Sequence, residues 1–313
     1  GFVSIQGSRL DFHDLLKAKA MEERKPIQIV LPSTYDESVV RRSRRTGRNR
    51  RLQDEATRAW NFHTALYYKA GGTPWRLVRD SSQFTVCYVG ISFFKTIDGS
   101  SLMTSVAQVF NERGEGVVVR GGPAQVSKND RQPHVNASDA NALLGNALAR
   151  YREVHGNLPA RLVMHKSSSY SDEEIEGFTA ALDAEHIGNS DLLVIGTSST
   201  KLFRLGGVYP PLRGTFLSLD NLEHVLYTRG SVDFFQTYPG MYVPSPLRII
   251  CASVEQTPKF LAEEILALTK MNWNNTQFDN SEPITLHAAR QVSHILRYYQ
   301  DGAHIEPRYS YYM

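Results

Sequence analysis

Three strand-forming runs at 84–94, 102–110 and 117–120 follow one another across turns alone, at Asp98-Gly99 and at 114–116. Connections that short join antiparallel neighbours and leave no room for a crossover, so the three runs predict a meander. A helix follows at 138–154, capped by Ser138 and closed before Gly156, and then an apolar strand at 161–165. Ser171 with Glu174 three residues on is a capping box that opens a helix through about 182, and 191–196 is another strand. The order is β-β-β-α-β-α-β.

That order is the one of the RNase H fold. Beyond it, short strands are expected at 215–219 and 247–251 and helices at 257–269 and 283–299. Ahead of it, 10–21 reads as a helix with Leu15, Leu16 and Ala20 apolar and Asp11 or Ser8 as cap, and 27–31 as a short buried strand after Pro26. Asp54 caps a further helix, in which Trp60, His63, Leu66 and Tyr67 recur at helical spacing until Gly71-Gly72 and Pro74 stop it. This first part is a piece of an α/β unit without its opening strand. Two packed domains follow, 1–80 and 81–313.

Hydrophobic residues make up 41% of the chain and the net charge is +3, so the whole molecule is no polycation. No apolar run approaches the roughly 18 residues that cross a bilayer, and the N-terminus lacks a secretion-signal pattern, which points to a cytoplasmic protein with no membrane partner. Cys87 and Cys251 sit in apolar strand-like runs and are expected as buried reduced thiols. The opening Gly1 suggests a truncation or a processed end. Arg41, Arg42, Arg44, Arg45, Arg48, Arg50 and Arg51 crowd one stretch with no acid between them. Such a run is usually a solvated loop; the sharper reading is an arm for nucleic-acid backbones.

Lys69 in the last turn before two glycines would, alone, only complement a helix dipole. In the order His13, Lys17, Gln28, Asn61, Lys69 the chain resembles the MID domain of Argonaute proteins. Tyr88-Val89-Gly90-Ile91, Arg161 to Lys166, Arg213-Gly214-Thr215, the helix 264–268, Asn272 to Thr276 and 283–296 resemble the PIWI domain of the same family. YYKAGG, YVGISFF, HKSSSY, LYTRG and LTKMNWNNTQ are most similar to the short prokaryotic members, which hold MID and PIWI domains alone. The resemblance implies an α/β architecture with a partial, Rossmann-like MID domain followed by an RNase H-like PIWI domain. It implies that His13, Lys17, Gln28, Asn61 and Lys69 hold the 5′-phosphate of a guide strand, two ammonium groups supplying charge-assisted bonds to one dianion. It also makes the carboxylate of Met313 a contact to that phosphate through a magnesium ion, with an exposed tail as the alternative.

A two-metal nuclease of this fold needs carboxylates that hold two cations about 4 Å apart. The matching positions carry Ser92 and Ser167, and the helix after Pro283 offers Ala288, Ala289 and Arg290. Neutral hydroxyls are poor ligands for magnesium beside carboxylates. There is no GxxxxGK[ST], HExxH or GxSxG pattern.

The expectation is therefore a non-enzymatic, guide-dependent binder: a 5′-phosphorylated guide RNA or DNA, a single-stranded DNA or RNA target, and no catalytic metal. From the resemblance comes the further expectation of an APAZ-containing effector partner, with a TIR, sirtuin-like or nuclease domain, in prokaryotic defence. The rival is an active RNase H-type nuclease with displaced acids. A scaffold that contacts only protein is a third reading, and it predicts no preference for a 5′-phosphate.

Overall fold

Strong local signals place most elements where the sequence predicts them. The computed structural model describes residues 2–5, 8–36, 38–39, 53–78, 85–110, 116–235, 237–238, 240, 242–273, 280–299, 306 and 308–312. In chain order these hold β1 (Phe2–Ile5), β2 (Ser8–Asp11), α1 (Phe12–Glu22), α2 (Pro32–Tyr35), α3 (Glu55–Lys69), β3 (Val86–Lys95), β4 (Leu102–Phe110), β5 (Gly116–Val126) and β6 (Pro133–His134). There follow α4 (Ala137–His155), β7 (Arg161–Lys166), α5 (Asp172–Ala184), β8 (Ser190–Thr197), β9 (Phe216–Ser218), β10 (Glu223–Leu226), β11 (Leu247–Ser253), α6 (Pro258–Leu268) and α7 (Ile284–Leu296). The chain is mixed α/β, and no described helix is long and apolar enough to cross a membrane.

Nine strands form one sheet in the order β6-β5-β4-β3-β7-β8-β11-β10-β9. β3, β7 and β8 run parallel, with Gly90 opposite His165 and Ile91 opposite Lys166; β4 and β5 complete the antiparallel meander. The parallel pairs need crossovers, and α4 and α5 supply them. α5 opens on the predicted capping box of Ser171 and Glu174. α4 is capped two residues earlier than predicted, by Asn136 rather than Ser138, and closes on Gly156 at φ 75°, a left-handed position that suits glycine.

Side chains alternate across the sheet, so each face builds its own core. Cys87, Val89, Ile91, Leu162 and Met164 face α4 and α5, against Leu144, Leu148 and Phe178. Tyr88, Val163, Leu193 and Ile195 face α6 and α7, against Leu261, Ile265, Val292 and Ile295. Both cysteines are buried and free.

The first eighty residues depart from expectation in three ways. An antiparallel hairpin, β1–β2, precedes α1, which Asp11, one of its two expected caps, opens. Residues 27–31 form no strand: they join no sheet among the described residues, and Gln28, Val30 and Leu31 are exposed. Without a neighbouring ladder, a short apolar run has nothing to bury it. The buried faces of α1 and α3 also differ from the expected ones. Lys17, Ala18 and Met21 are buried on α1 while Leu16 is exposed, and Thr64, Ala65 and Tyr68 are buried on α3 while Trp60, Leu66 and Tyr67 are exposed.

Docking against the far end of the chain decides those faces. Tyr68 packs edge-on against Trp273 at 4.4 Å between ring centroids, and Trp75 donates its indole N–H to the Lys270 carbonyl at 2.8 Å. Tyr299 Oη donates to the Ala18 carbonyl at 3.1 Å, Tyr311 Oη to the Arg24 carbonyl at 3.0 Å, and the Asp11 amide to Tyr298 Oη at 2.9 Å. Tyr309, Tyr311 and Tyr312 are buried in the same core.

Candidate nucleic-acid interface

Capping of α1 by Asp11, which accepts from the His13 amide at 2.9 Å, starts the helix that carries Lys17. Asp54 does the same for α3, which carries Lys69 as its last residue. Lys17 is only 4% exposed, and its Nζ donates to the Tyr312 main-chain carbonyl at 3.1 Å. Lys69 Nζ donates to Gln28 Oε1. Burial, and then the Lys69 ammonium beside it, pulls Lys17 down to about 7 against the opposing pull of Asp14; burial alone brings Lys69 to about 8. Two ammonium groups are thus held together, one buried and one half-buried, with neutral oxygens as their bonded partners. An anion entering there would strengthen both charges.

Of the five residues expected at a guide phosphate, the fold joins three: Lys17, Lys69 and Gln28. Gln28 gets there from an irregular segment, not from the start of a strand. His13 is exposed and its Nδ1 lies 2.9 Å from Asp14 Oδ1. Asn61 stands about 12 Å before Lys69 along the helix axis; it donates to Gln53 Oε1 at 3.3 Å, and its own Oδ1 is buried without a partner. Met313 and the arginine run Arg41, Arg42, Arg44, Arg45, Arg48, Arg50 and Arg51 lie outside the described residues, as do residues 274–279 of the LTKMNWNNTQ stretch. Tyr312 is the partner that the sequence reading missed, because a main-chain carbonyl leaves no mark in residue type.

Among the described residues, Asp11, His13 and Asp14 offer a cluster of ligand-type atoms within 4.8 Å. Asp11 is engaged as the helix cap and Asp14 with His13. At Lys17 and Lys69 it is the two ammonium groups that suit an anion.

A second polar region lies at the C-terminal ends of the parallel strands. Ser92 and Ser167 follow the last paired residues there, Ile91 and Lys166. α7 is clamped over this end: a Cβ on Gly90 would lie 2.2 Å from the Thr285 carbonyl oxygen, and His165 Nδ1 is 2.8 Å from Thr285 Oγ1. Burial, with Arg161 nearby, drops His165 to about 3 and keeps it neutral. Ser293 on α7 faces Ser92 at 3.5 Å between hydroxyl oxygens. Ser167 lines a cavity of about 450 Å³ with Arg229, Ser281, Glu282 and Arg290. Glu282 and Arg290 form an ion pair.

Two ion-pair networks hold β7, one at each end. Lys166 Nζ donates to both carboxylate oxygens of Glu174 at 2.6 Å, and Glu174 also accepts from the Val135 and Ser171 amides. At the opposite end of β7, Arg161 bridges Asp191 at 2.6 Å and Glu264 at 2.7 Å, and Tyr88 Oη donates to Glu264 at 2.8 Å. Arg213 pins the end of α6 through the Thr269 hydroxyl at 2.9 Å and the Leu266 carbonyl at 3.3 Å. The Arg213 and Glu264 motifs therefore act in this fold as struts.

No protein-family profile and no curated protein matches the sequence. Solved structures do match. The chain superposes on Clostridium butyricum Argonaute, solved bound to a guide DNA and a 19-mer target DNA, with TM-score 0.67 and 17% identity, covering 91% of this chain and 35% of that one. It superposes on Aa-Ago, solved with externally bound siRNA, at TM-score 0.61 and 18% identity over 94% of this chain and 36% of that one. For A. aeolicus Argonaute the TM-score is 0.56 at 19% identity over 94% and 38%. The chain thus has the fold of this part of Argonaute proteins and spans about a third of their length.

Proposed function

We propose that this chain is a MID–PIWI protein of the short Argonaute kind, which binds a 5′-phosphorylated guide strand and presents it to a complementary target. The observation that carries the reading is the pair of lysines, buried Lys17 and half-buried Lys69, brought together by α1 and α3 on an Argonaute fold. Burying one ammonium is costly and setting a second beside it costs more, so the arrangement is one that a dianionic ligand would relieve. Gln28 stands at the same place, its Oε1 accepting from Lys69 and its Nε2 donating to the Ile29 carbonyl. Specificity for a target would come from base pairing, with the protein reading backbone and A-like shape.

Chemistry at Ser92 and Ser167 supports a binder that does not cut. Two hydroxyls stand at the ends of adjacent strands where a two-metal centre needs carboxylates, and the cavity beside Ser167 has Glu282 as the acid among its described lining residues, already paired with Arg290. In this reading any catalysis belongs to an APAZ-containing effector that the guided complex switches on in defence.

Affinity for one oligonucleotide with a 5′-phosphate and with a 5′-hydroxyl tests the proposal. A preference of about tenfold or more for the phosphate is expected, since a charge-assisted bond is worth about 1.5–3 kcal/mol. Equal affinities would overturn it. Magnesium-dependent target cleavage that a point substitution abolishes would overturn the inactive reading.

A further inference from the structure

The cavity at the ends of the parallel strands is separate from the lysine pocket and has the opposite charge character from a metal centre. Among the described residues its lining carries two guanidinium groups, Arg229 and Arg290, and one carboxylate, Glu282, with the hydroxyls of Ser167 and Ser281 beside them. The same carboxylate is approached by His287 Nδ1 at 3.4 Å, and burial keeps that imidazole's pKa low. Arg290 stands half exposed on α7, so its guanidinium is reachable from outside. Glu282 and Leu286 at the cavity wall flank the start of α7, whose cap residue is Pro283 and whose first amides receive no side-chain cap. Helix amides at that end carry a partial positive charge and point toward anions. A volume of about 450 Å³ also exceeds what a lone ion needs and falls in the range of ligand sites.

We propose that this cavity is a metal-free phosphodiester site: it takes one internucleotide phosphate of a bound nucleic-acid duplex, held by Arg290 with Arg229, Ser167 and the start of α7. The inference rests on the reading of the chain as a guided nucleic-acid binder and adds a second anchor to it. Where a nuclease of this fold would place cations between acids and a phosphate, this chain places arginine against the phosphate directly. A guanidinium suits that task, because its planar donors match two phosphate oxygens at once. Glu282 occupies Arg290 until the phosphate arrives and then gives it up.

A neutral methylphosphonate linkage, moved one position at a time along each strand of a pre-annealed RNA–DNA duplex, tests this in the wild type, Arg290→Gln and Glu282→Gln. One linkage in one strand should weaken wild-type binding about tenfold, and the strand in which it falls says whether guide or target fills the site. Arg290→Gln should erase that penalty and lower the salt slope of binding by about one, while Glu282→Gln should tighten binding of the unmodified duplex. Equal, position-independent effects in the wild type and Arg290→Gln, with an unchanged salt slope, would overturn the proposal. The pre-annealed duplex keeps this result apart from the 5′-phosphate comparison, whose failure would count against the lysine pocket alone.

Discussion

Lys17 on the first helix donates its ammonium to the main-chain carbonyl of Tyr312, 295 residues further along, at 3.1 Å. That bond closes one side of the pocket and ties the α1 unit to the end of the described chain. It also sets what a substitution there should do. Lys17→Ala and Lys69→Ala should each weaken binding of a 5′-phosphorylated oligonucleotide by about 10- to 100-fold, the worth of one charge-assisted bond. Binding of the 5′-hydroxyl form should change far less, and fluorescence anisotropy with both oligonucleotides checks the difference.

Both lysines carry lowered pKa values, to about 7 and about 8, and the sign of the pH dependence follows. In the free protein the folded state binds fewer protons than the unfolded chain between about pH 7 and the ordinary lysine value near 10.5, so stability contributed by these groups rises across that window. A bound phosphate dianion favours the charged forms, so binding takes up protons. Affinity for the 5′-phosphorylated strand should fall as pH rises from 7 to 9, and calorimetry in buffers of different ionisation enthalpy should detect the uptake at pH 8. A flat profile would contradict the pocket's electrostatics.

Gly90→Ala should destabilise the fold by about 1–3 kcal/mol, because a methyl group would overlap the Thr285 carbonyl and push α7 off β3. Denaturant unfolding measures this. The same displacement should loosen the Arg290 cavity, which α7 helps to wall.

Arg161→Met should cost about 3–5 kcal/mol, since it leaves Asp191, which is fully buried, without its cation. A shifted unfolding midpoint at unchanged denaturant slope would be the expected signature. Glu264→Gln, at a partly exposed partner of the same arginine, should cost less.

Elements backed by local chemistry could be read directly. Asp54, Ser171 with Glu174, and Asp98-Gly99 mark their helices and turn through bonds to neighbours in sequence, so no distant residue is needed to recognise them. Lys17, Lys69, Ser92 and Ser167 could be singled out because residue type and order carry their chemistry.

What the tertiary structure decided are the relations that cross the chain. Trp60, Leu66 and Tyr67 read as the buried face of α3, yet docking against Trp273 turns Thr64, Ala65 and Tyr68 inward. Residues 27–31 read as a strand, yet no ladder partner stands beside them among the described residues. The Tyr312 carbonyl at Lys17, and the meeting of Arg229, Glu282 and Arg290 beside Ser167, come from segments far apart in sequence. Periodicity and capping act over a turn or two of backbone, whereas burial and pairing depend on which surfaces meet, and that is settled only when the whole sheet has closed.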